Sequence, residues 1–491
     1  MHELWNKLEP LSEGFYKGSD YGDSGQIVLD LCASECPGLV NLVKSFGDSK
    51  PFAGVRLSGC LHMTNETMTL IRAAVQLGAK VRWASSNPYS SNDMAVHAAS
   101  KLMSSDVALF GFKGESMEEY FWCMYQSLVW PGFDGPLLLV DDGCCSYHMI
   151  HYGVLIEEMY EKEGKLYPLE SVDEADRDMR VLISFLNHLV QHKGNVWRTL
   201  VKSVVGLSEE TTSGITAMRK LHKESGLLFP IFSTNDVVSK IKFDNNYGAR
   251  YSSIHGMCNG AQSFLIGGKE VLVIGYGNVG KGAVMGFSGA GARVKVAEAD
   301  PICALQAVMD GYDVVLLEDV VETADIFVTT TGSIDIITLE HLKKMKNNAV
   351  VGNIGQGDRE IQMARLASDP NVEITEVRYN VHLYKFKDTG KGVIILAQGR
   401  LYNLGCANGH PSFVMSLSFT TQILSLLELW KNKDSGKFGK EIYTLPKTLD
   451  ESVARLHLPA MNAKLTKLTQ KQADYMGVDV NGPYKHEHYH Y

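Results

Sequence analysis

The stretch "VLVIGYGNVGKG", residues 271–282, sets Gly275, Gly277 and Gly280 directly behind an apolar run that reads as a buried strand. Strand, tight turn and helix start are the parts of a dinucleotide cradle. One glycine permits the turn, the next lets a pyrophosphate approach, and the third allows close helix packing. Asn278 and Val279 open the helix, whose N-terminus faces the phosphates. Glu298, 23 positions after Gly275, ends the next strand. A carboxylate there accepts both ribose hydroxyls and repels a 2'-phosphate, so NAD is expected over NADP.

From about residue 251 onward, strands and helices alternate through "EVLVIG", "RVKVAEA", "YDVVLL", "IFVTTTG" and "AVVGNIG". N-terminal to this region, "VRLSG", the helical "ETMTLIRAAVQLG" and "KVRWASS" repeat a βαβ rhythm. Two more apolar strands, "PLLLV" and "SVVGL", run into Asp141-Asp142-Gly143 and "SEETTSG" at 208–214. Open parallel sheets bind ligands at such strand ends. Residues 147–200 are charged and largely helical, and read as an appended excursion, an insertion at about 150–200. The expected fold is α/β: a Rossmann-type doubly wound NAD domain over 251–408 and a larger α/β substrate-binding domain from 1–235 and 412–460. Hinges are expected at 236–250 and 405–412, and a small C-terminal tail domain at 461–491.

The chain has 491 residues, 45% hydrophobic and 21% charged, which are ordinary globular values. A formal net charge of -9 offers no basic surface for nucleic acid. The N-terminus lacks a signal-peptide layout, and no window approaches 18 uninterrupted apolar residues, so a soluble cytoplasmic protein is expected. Nine cysteines without a regular framework read as reduced thiols, and neither Cys32 with Cys36 nor Cys144 with Cys145 completes a metal set. The tail places His486, His488 and His490 at alternate positions, read as a solvated or docked tail; no metal is expected.

"GCLHMTNET" at 59–67, "VDDG" at 140–143, "SEETTSG" and "NDVVSKIKFDNNYG" at 235–248 carry the polar residues able to do chemistry. On a helix Lys240 and Asp244 stand at i and i+4, which by spacing alone is more often a surface ion pair. A desolvated lysine can also serve as the base a dehydrogenase needs, although Asp244 favours its charged form. His62 at an apolar strand end is more often a satisfied core histidine. Taken singly, these residues leave both readings open.

Together, "GCLHMT", "DDG", "GLSEETT", "KFDNNYG", "GYGNVGKG", "GRLYNLGCANGHPSFVMS" and "GPYKHEHYHY" resemble the S-adenosyl-L-homocysteine hydrolase family from about residue 30 to the C-terminus, including the insertion of its longer members. The resemblance implies bound NAD that oxidises the ribose 3'-hydroxyl, elimination of L-homocysteine, addition of water, and re-reduction to adenosine. It implies that Lys240 is the base for the 3'-hydroxyl, with Asp244 and Glu210 holding ribose hydroxyls and Asn245 orienting the group. His62 and Asp142 match the proton carriers at C4' and C5', and Thr64, Glu66 and Thr67 fall where adenine is read. For NAD it carries over Thr211, Thr212, Ser213, Asn245, Gly275, Gly277, Asn278, Val279, Gly280, Glu298, Thr331, Ile354 and Asn403. Lys485 and Tyr489 match a tail covering a neighbouring subunit's cofactor in a homotetramer. His410 resembles a gate at the hinge.

Several positions depart from the family pattern. Gln356 replaces a histidine near the substrate, Ala249 a cysteine, Asn408 a methionine near adenine and Cys303 an asparagine near the NAD ribose; "DDGCC" replaces "DDGGD". Gln356 can hydrogen-bond but cannot shuttle protons. The alternative reading is a catalytically weak regulatory relative that keeps NAD, against which His62, Asp142, Glu210, Lys240 and Asp244 all stand. A 2-hydroxyacid dehydrogenase would share the fold without explaining "GCLHMT" or the tail.

Overall fold

Two parallel-rich sheets organise the chain. The computed structural model describes residues 3–18, 22–103, 105–174, 176–262, 264–487, 489 and 491. His488 and His490 of the tail pattern therefore lie outside the described residues. The chain divides into unit 1, Met1–Lys240 with Met415–Tyr491, and unit 2, Ile241–Val414.

Unit 1 contains β1 (Arg56–Cys60), β2 (Lys80–Ala84), β3 (Val107–Phe110), β4 (Leu138–Asp141), β5 (Gly206–Glu209) and β6 (Ile231–Ser233). Unit 2 contains β7 (Glu270–Ile274), β8 (Arg293–Ala297), β9 (Asp313–Val314), β10 (Ile326–Thr329), β11 (Ala349–Asn353), β12 (Val372–Arg378), β13 (Val381–Phe386) and β14 (Gly392–Leu396). The chain then returns to unit 1 with β15 (Ile442–Tyr443). The unit 1 sheet runs β15-β6-β5-β4-β1-β2-β3 with every neighbour parallel. The unit 2 sheet runs β12-β13-β14-β11-β10-β7-β8-β9, and only the β12–β13–β14 edge is antiparallel.

Short apolar runs become central strands because helices cover both faces, so no polar alternation is needed. Every residue of β7, β10 and β11 is buried. The edge strand β12, "VEITEVR", is largely exposed, and its charges protect the open edge from further pairing. Among the parallel strands of each sheet the direction of strand addition reverses, between β1 and β4 and between β7 and β10. Those reversals open the crevices where ligands bind in such sheets.

The expected excursion at 147–200 is instead core. Its helices Cys145–Glu163, Arg177–Lys193 and Trp197–Val201 bury Ile150, Ile183, Phe185, Leu186, Leu189 and Trp197 in one cluster with Leu4, Trp5 and Tyr125. Phe185 meets Trp5 and Tyr125 edge-on at 5.3 and 5.7 Å. Gly153 leaves room for the Trp197 ring, which a Cβ there would meet at 2.4 Å. Clustered charges such as "EEMYEKEGK" and "DEADRDMR" hid this face, while the inner side of the helices follows helical spacing.

Helix Ser412–Lys431 is long and apolar enough by composition to cross a membrane, yet 67% of its apolar window is buried inside the protein. From Met415 onward it is a core helix of unit 1, with Leu429 against Gly206 of β5.

Trp197→Ala is expected to destabilise unit 1 by about 3–5 kcal/mol, the usual cost of a large core truncation. Denaturant unfolding checks it, and a loss below about 1 kcal/mol would mark the insertion as separable.

Candidate active site

At the carboxyl ends of β1 and β4, on either side of the unit 1 reversal, the structure brings His62 and Asp142 together. His62 Nε2 lies 3.1 Å from Asp142 Oδ2. The other ring nitrogen, Nδ1, is held by the hydroxyls of Ser90 at 2.7 Å and Ser86 at 3.2 Å. Ser86 also donates to Asp142 Oδ2 at 2.8 Å. An imidazole fixed on both nitrogens with a carboxylate against one of them is built to move protons along a set direction.

The acid doublets divide their labour by strand alternation. Successive side chains on a strand point to opposite faces, so in Asp141-Asp142 and Glu209-Glu210 only the second member turns to the crevice. Asp141 accepts from the N–H groups of Ser146 and Tyr147, both at 2.9 Å, at the start of helix Cys145–Glu163. Glu209 Oε1 accepts from Gly143 N and Thr211 N, both at 2.9 Å, and from Thr211 Oγ1 at 2.8 Å; Oε2 accepts from Cys144 N at 3.2 Å. Burial pushes the Asp141 carboxyl up to about 7 against the pull of those N–H donors. Burial, then the charges of Asp141 and Asp142, push Glu209 well above the carboxylate range.

Glu210 and Lys240 also meet. Lys240 Nζ lies 3.6 Å from Glu210 Oε1 and donates to Asn235 Oδ1 at 3.4 Å, and only 3% of Lys240 is exposed. Glu210 Oε2 accepts from Gln422 Nε2 at 2.5 Å, so the long helix Ser412–Lys431 steadies the acid. Nearby, Thr64 caps helix Asn65–Gln76, accepting from Thr67 N at 3.4 Å, and Thr67 donates its hydroxyl to the His62 carbonyl at 2.5 Å. Glu66 is buried in the first turn of that helix. Thr211 caps helix Thr212–Ser225, and Ser213 donates to the Thr211 hydroxyl at 3.3 Å.

The single helix expected to carry Lys240 and Asp244 on one face does not form. It stops at Ile241, and a π-turn, Asp244–Gly248, follows. In unit 2 the Asp244 carboxylate pairs with His410, Nδ1 to Oδ1 at 2.5 Å. The imidazole fills the space beside Gly248, where a Cβ would fall 2.3 Å from Nδ1. Asn245 is buried in the same turn.

The unit 2 crevice has the form of a dinucleotide cradle. Gly275 has φ +104°, open to glycine, and a Cβ on Gly280 would lie 2.0 Å from the Gly275 carbonyl oxygen. At Gly277, the cap of helix Asn278–Gly289, nothing lies within 4 Å of a Cβ, so the approach to the helix N-terminus is clear. Glu298 follows β8 and accepts from Tyr276 N at 2.5 Å and Ala299 N at 2.6 Å. Across the reversal, Glu360 accepts from Thr331 N at 3.0 Å, Thr331 Oγ1 at 2.8 Å, Gly332 N at 2.8 Å and Gln356 N at 3.1 Å. Burial raises the Glu360 carboxyl, opposed by those donors. Ile354 is buried just past β11, and Asn403 donates to Ser252 Oγ at 3.2 Å.

A family model described as S-adenosyl-L-homocysteine hydrolase matches residues 17–490. The chain belongs to the S-adenosyl-L-homocysteine hydrolase family. An adenosylhomocysteinase of Triticum aestivum is 47% identical over 97% of this chain and 97% of its own length, and one of Plasmodium chabaudi chabaudi is 46% identical over 95% and 97%. Among solved structures, the dipicolinate synthase A chain of Bacillus subtilis aligns with TM-score 0.39 and 10% identity, covering 77% of this chain and 97% of that one.

Membership in the S-adenosyl-L-homocysteine hydrolase family makes this an enzyme that hydrolyses S-adenosyl-L-homocysteine with the help of a nucleotide cofactor. The residues expected at the site from the sequence fall in two places: His62, Thr64, Glu66, Thr67, Asp142, Glu210, Thr211, Thr212, Ser213 and Lys240 in unit 1, and Asp244, Asn245, the glycine turn, Glu298, Thr331, Ile354, Asn403 and His410 in unit 2. Lys485 and Tyr489 lie in the unit 1 tail, with the Lys485 ammonium 4.8 Å from the Tyr489 ring. Ala249 is buried against Gly282, while Cys303 opens helix Pro301–Met309 behind the Asp300 cap. The sequence reading missed Asp141, Glu209, Asn235, Gln422 and Glu360. The doublets themselves were the signal for the first two, since alternation forces one acid of each inward.

Removing Glu360 would leave four donors without their acceptor, at about 1–3 kcal/mol for each that stays buried. Glu360→Ala is therefore expected to weaken retention of the nucleotide cofactor by roughly 10- to 100-fold. The nucleotide bound per chain after gel filtration measures this, and unchanged occupancy would free Glu360 from the role.

Proposed function

We propose that this chain hydrolyses S-adenosyl-L-homocysteine reversibly to adenosine and L-homocysteine, with NAD as the nucleotide in the unit 2 cradle and acid–base work at the strand ends of unit 1. The observation that carries the reading is the row at the ends of β6, β5, β4 and β1, where Asn235, Glu210, Asp142 and His62 stand in strand order beside the buried Lys240. The clear approach at Gly277 and the acid at Glu298 suit NAD, since a carboxylate at the ribose repels a 2'-phosphate.

When bound, NAD supplies a transient oxidation of the ribose 3'-carbon that is returned before adenosine leaves. Lys240 takes the 3'-hydroxyl proton. Glu210 and Asn235 give its ammonium acceptors once charged, and burial keeps water from competing. A ketone at C3' acidifies the C4' hydrogen, and the His62–Asp142 pair takes that proton. The same pair protonates the leaving homocysteine sulfur, then takes a proton from the water that adds at C5' and returns one to C4'. Asp244, fixed by His410, and Glu210 are assigned to the ribose hydroxyls. Thr64, Glu66 and Thr67 are assigned to adenine. Gln356 cannot shuttle a proton, so transfer falls on Lys240, His62 and Asp142.

The assembly read here is a cytoplasmic homotetramer in which Lys485 and Tyr489 cover a neighbouring copy's cofactor. Helix Pro301–Met309, three residues past Glu298, supports it by leaving Ile302, Leu305 and Met309 between 63 and 79% exposed, an apolar face suited to a second copy.

Purified protein given S-adenosyl-L-homocysteine, a thiol reagent and no added NAD is expected to release homocysteine and adenosine in equal amounts. Lys240→Ala should lower the rate about 10²- to 10⁴-fold, the span of a lost acid–base group. An unchanged rate in that variant would overturn the assignment of the base, and no thiol release from nucleotide-loaded wild type would favour a regulatory protein.

A further inference from the structure

The chain leaves unit 1 directly after Lys240 and re-enters it at Met415. The helix that presents Lys240, Val238–Ile241, has four residues and cannot hold its shape without support. That support comes from helix Lys447–His457. Asp450 Oδ1 accepts from Ser239 N at 2.9 Å, and Oδ2 from Lys447 Nζ at 3.0 Å, with both side chains no more than 8% exposed. Seven residues further along the same helix, buried His457 holds Ser416, Nε2 to Oγ at 2.8 Å, at the start of the returning segment.

His457 Nδ1 faces the Val453 carbonyl at 2.7 Å and so must carry a proton. Nε2 lies against the Ser416 hydroxyl, whose oxygen also accepts from Gly38 N at 3.1 Å. The packing leaves no slack, since a Cβ on Gly38 would lie 2.0 Å from His457 Cε1.

We propose that helix Lys447–His457 is the common footing of both segments by which the chain leaves and re-enters unit 1, and that Asp450 and His457 are positioning residues for the hydrolysis. Asp450 sets the base Lys240 through the Ser239 backbone, and His457 sets the returning helix, which carries Gln422 to Glu210. This rests on Lys240 being the base.

The test compares holoenzyme variants by kcat, KM and amide hydrogen exchange, with Trp197→Ala as a destabilised control remote from the footing. Asp450→Ala is expected to lower kcat roughly 10- to 100-fold with little change in KM, and to speed exchange across 236–241. Asp450→Asn, which keeps an acceptor for Ser239 N, should recover most of the loss. Ser416→Ala, the smaller change, should speed exchange across 412–418 and lower kcat even if Asp450→Ala does not fold. Equal loss of kcat in Trp197→Ala, or unchanged exchange at both segments, would overturn the footing. If Lys240→Ala is inactive while Asp450→Ala matches wild type, only the footing fails; if Lys240→Ala is active, the base assignment has failed instead.

Discussion

Glu209 at the end of β5 and Glu360 in the turn that follows β11 do the same physical task. A loop leaving a parallel strand starts with backbone N–H groups that no neighbouring strand can satisfy, and a buried carboxylate collects them. Glu209 binds the β4 and β5 loops to each other through Gly143, Cys144 and Thr211. Glu360 binds the β10 and β11 loops through Thr331, Gly332 and Gln356. Both crevices owe their shape to these grips, because the loops would otherwise splay to reach water.

The same device constrains sequence around it. A Cβ on Gly214 would come within 2.2 Å of the Glu209 carboxylate, and one on Gly355 within 1.7 Å of Glu360 Oε1. Such acids are costly to bury and stabilise only when nearly every lone pair is met. Strand alternation then turns the inward cost to use: with Asp141 and Glu209 committed to backbone, Asp142 and Glu210 face the crevice, one beside His62 and the other beside Lys240.

Much of this was legible from local pattern. The strands "VLVI", "IFVT" and "AVVGN" announce themselves as apolar runs ending in turn formers, and Gly275 and Gly280 sit where a Cβ could not. The β12–β13 hairpin and the short β15 escaped notice, because "VEITEVR" is an exposed edge whose charges mask its period and β15 has only two residues. The insertion was misread for a related reason. Clusters of charge at 157–165 and 173–180 mask its period, whereas its buried face depends on Trp5, 180 positions before Phe185 in the chain.

By itself the sequence determined the α/β class, the dinucleotide turn and the residue types available for proton transfer, since strand period, glycine conformation and side-chain functional groups are local properties. Tertiary structure alone decided which of those residues act together. It paired His62 with Asp142 across a sheet reversal, brought Gln422 to Glu210, turned Asp244 from Lys240's helix toward His410, and set the lysine's short helix on Asp450. Each of these contacts joins residues far apart in the chain, or breaks a local helix, and depends on strand order and packing that no short window contains.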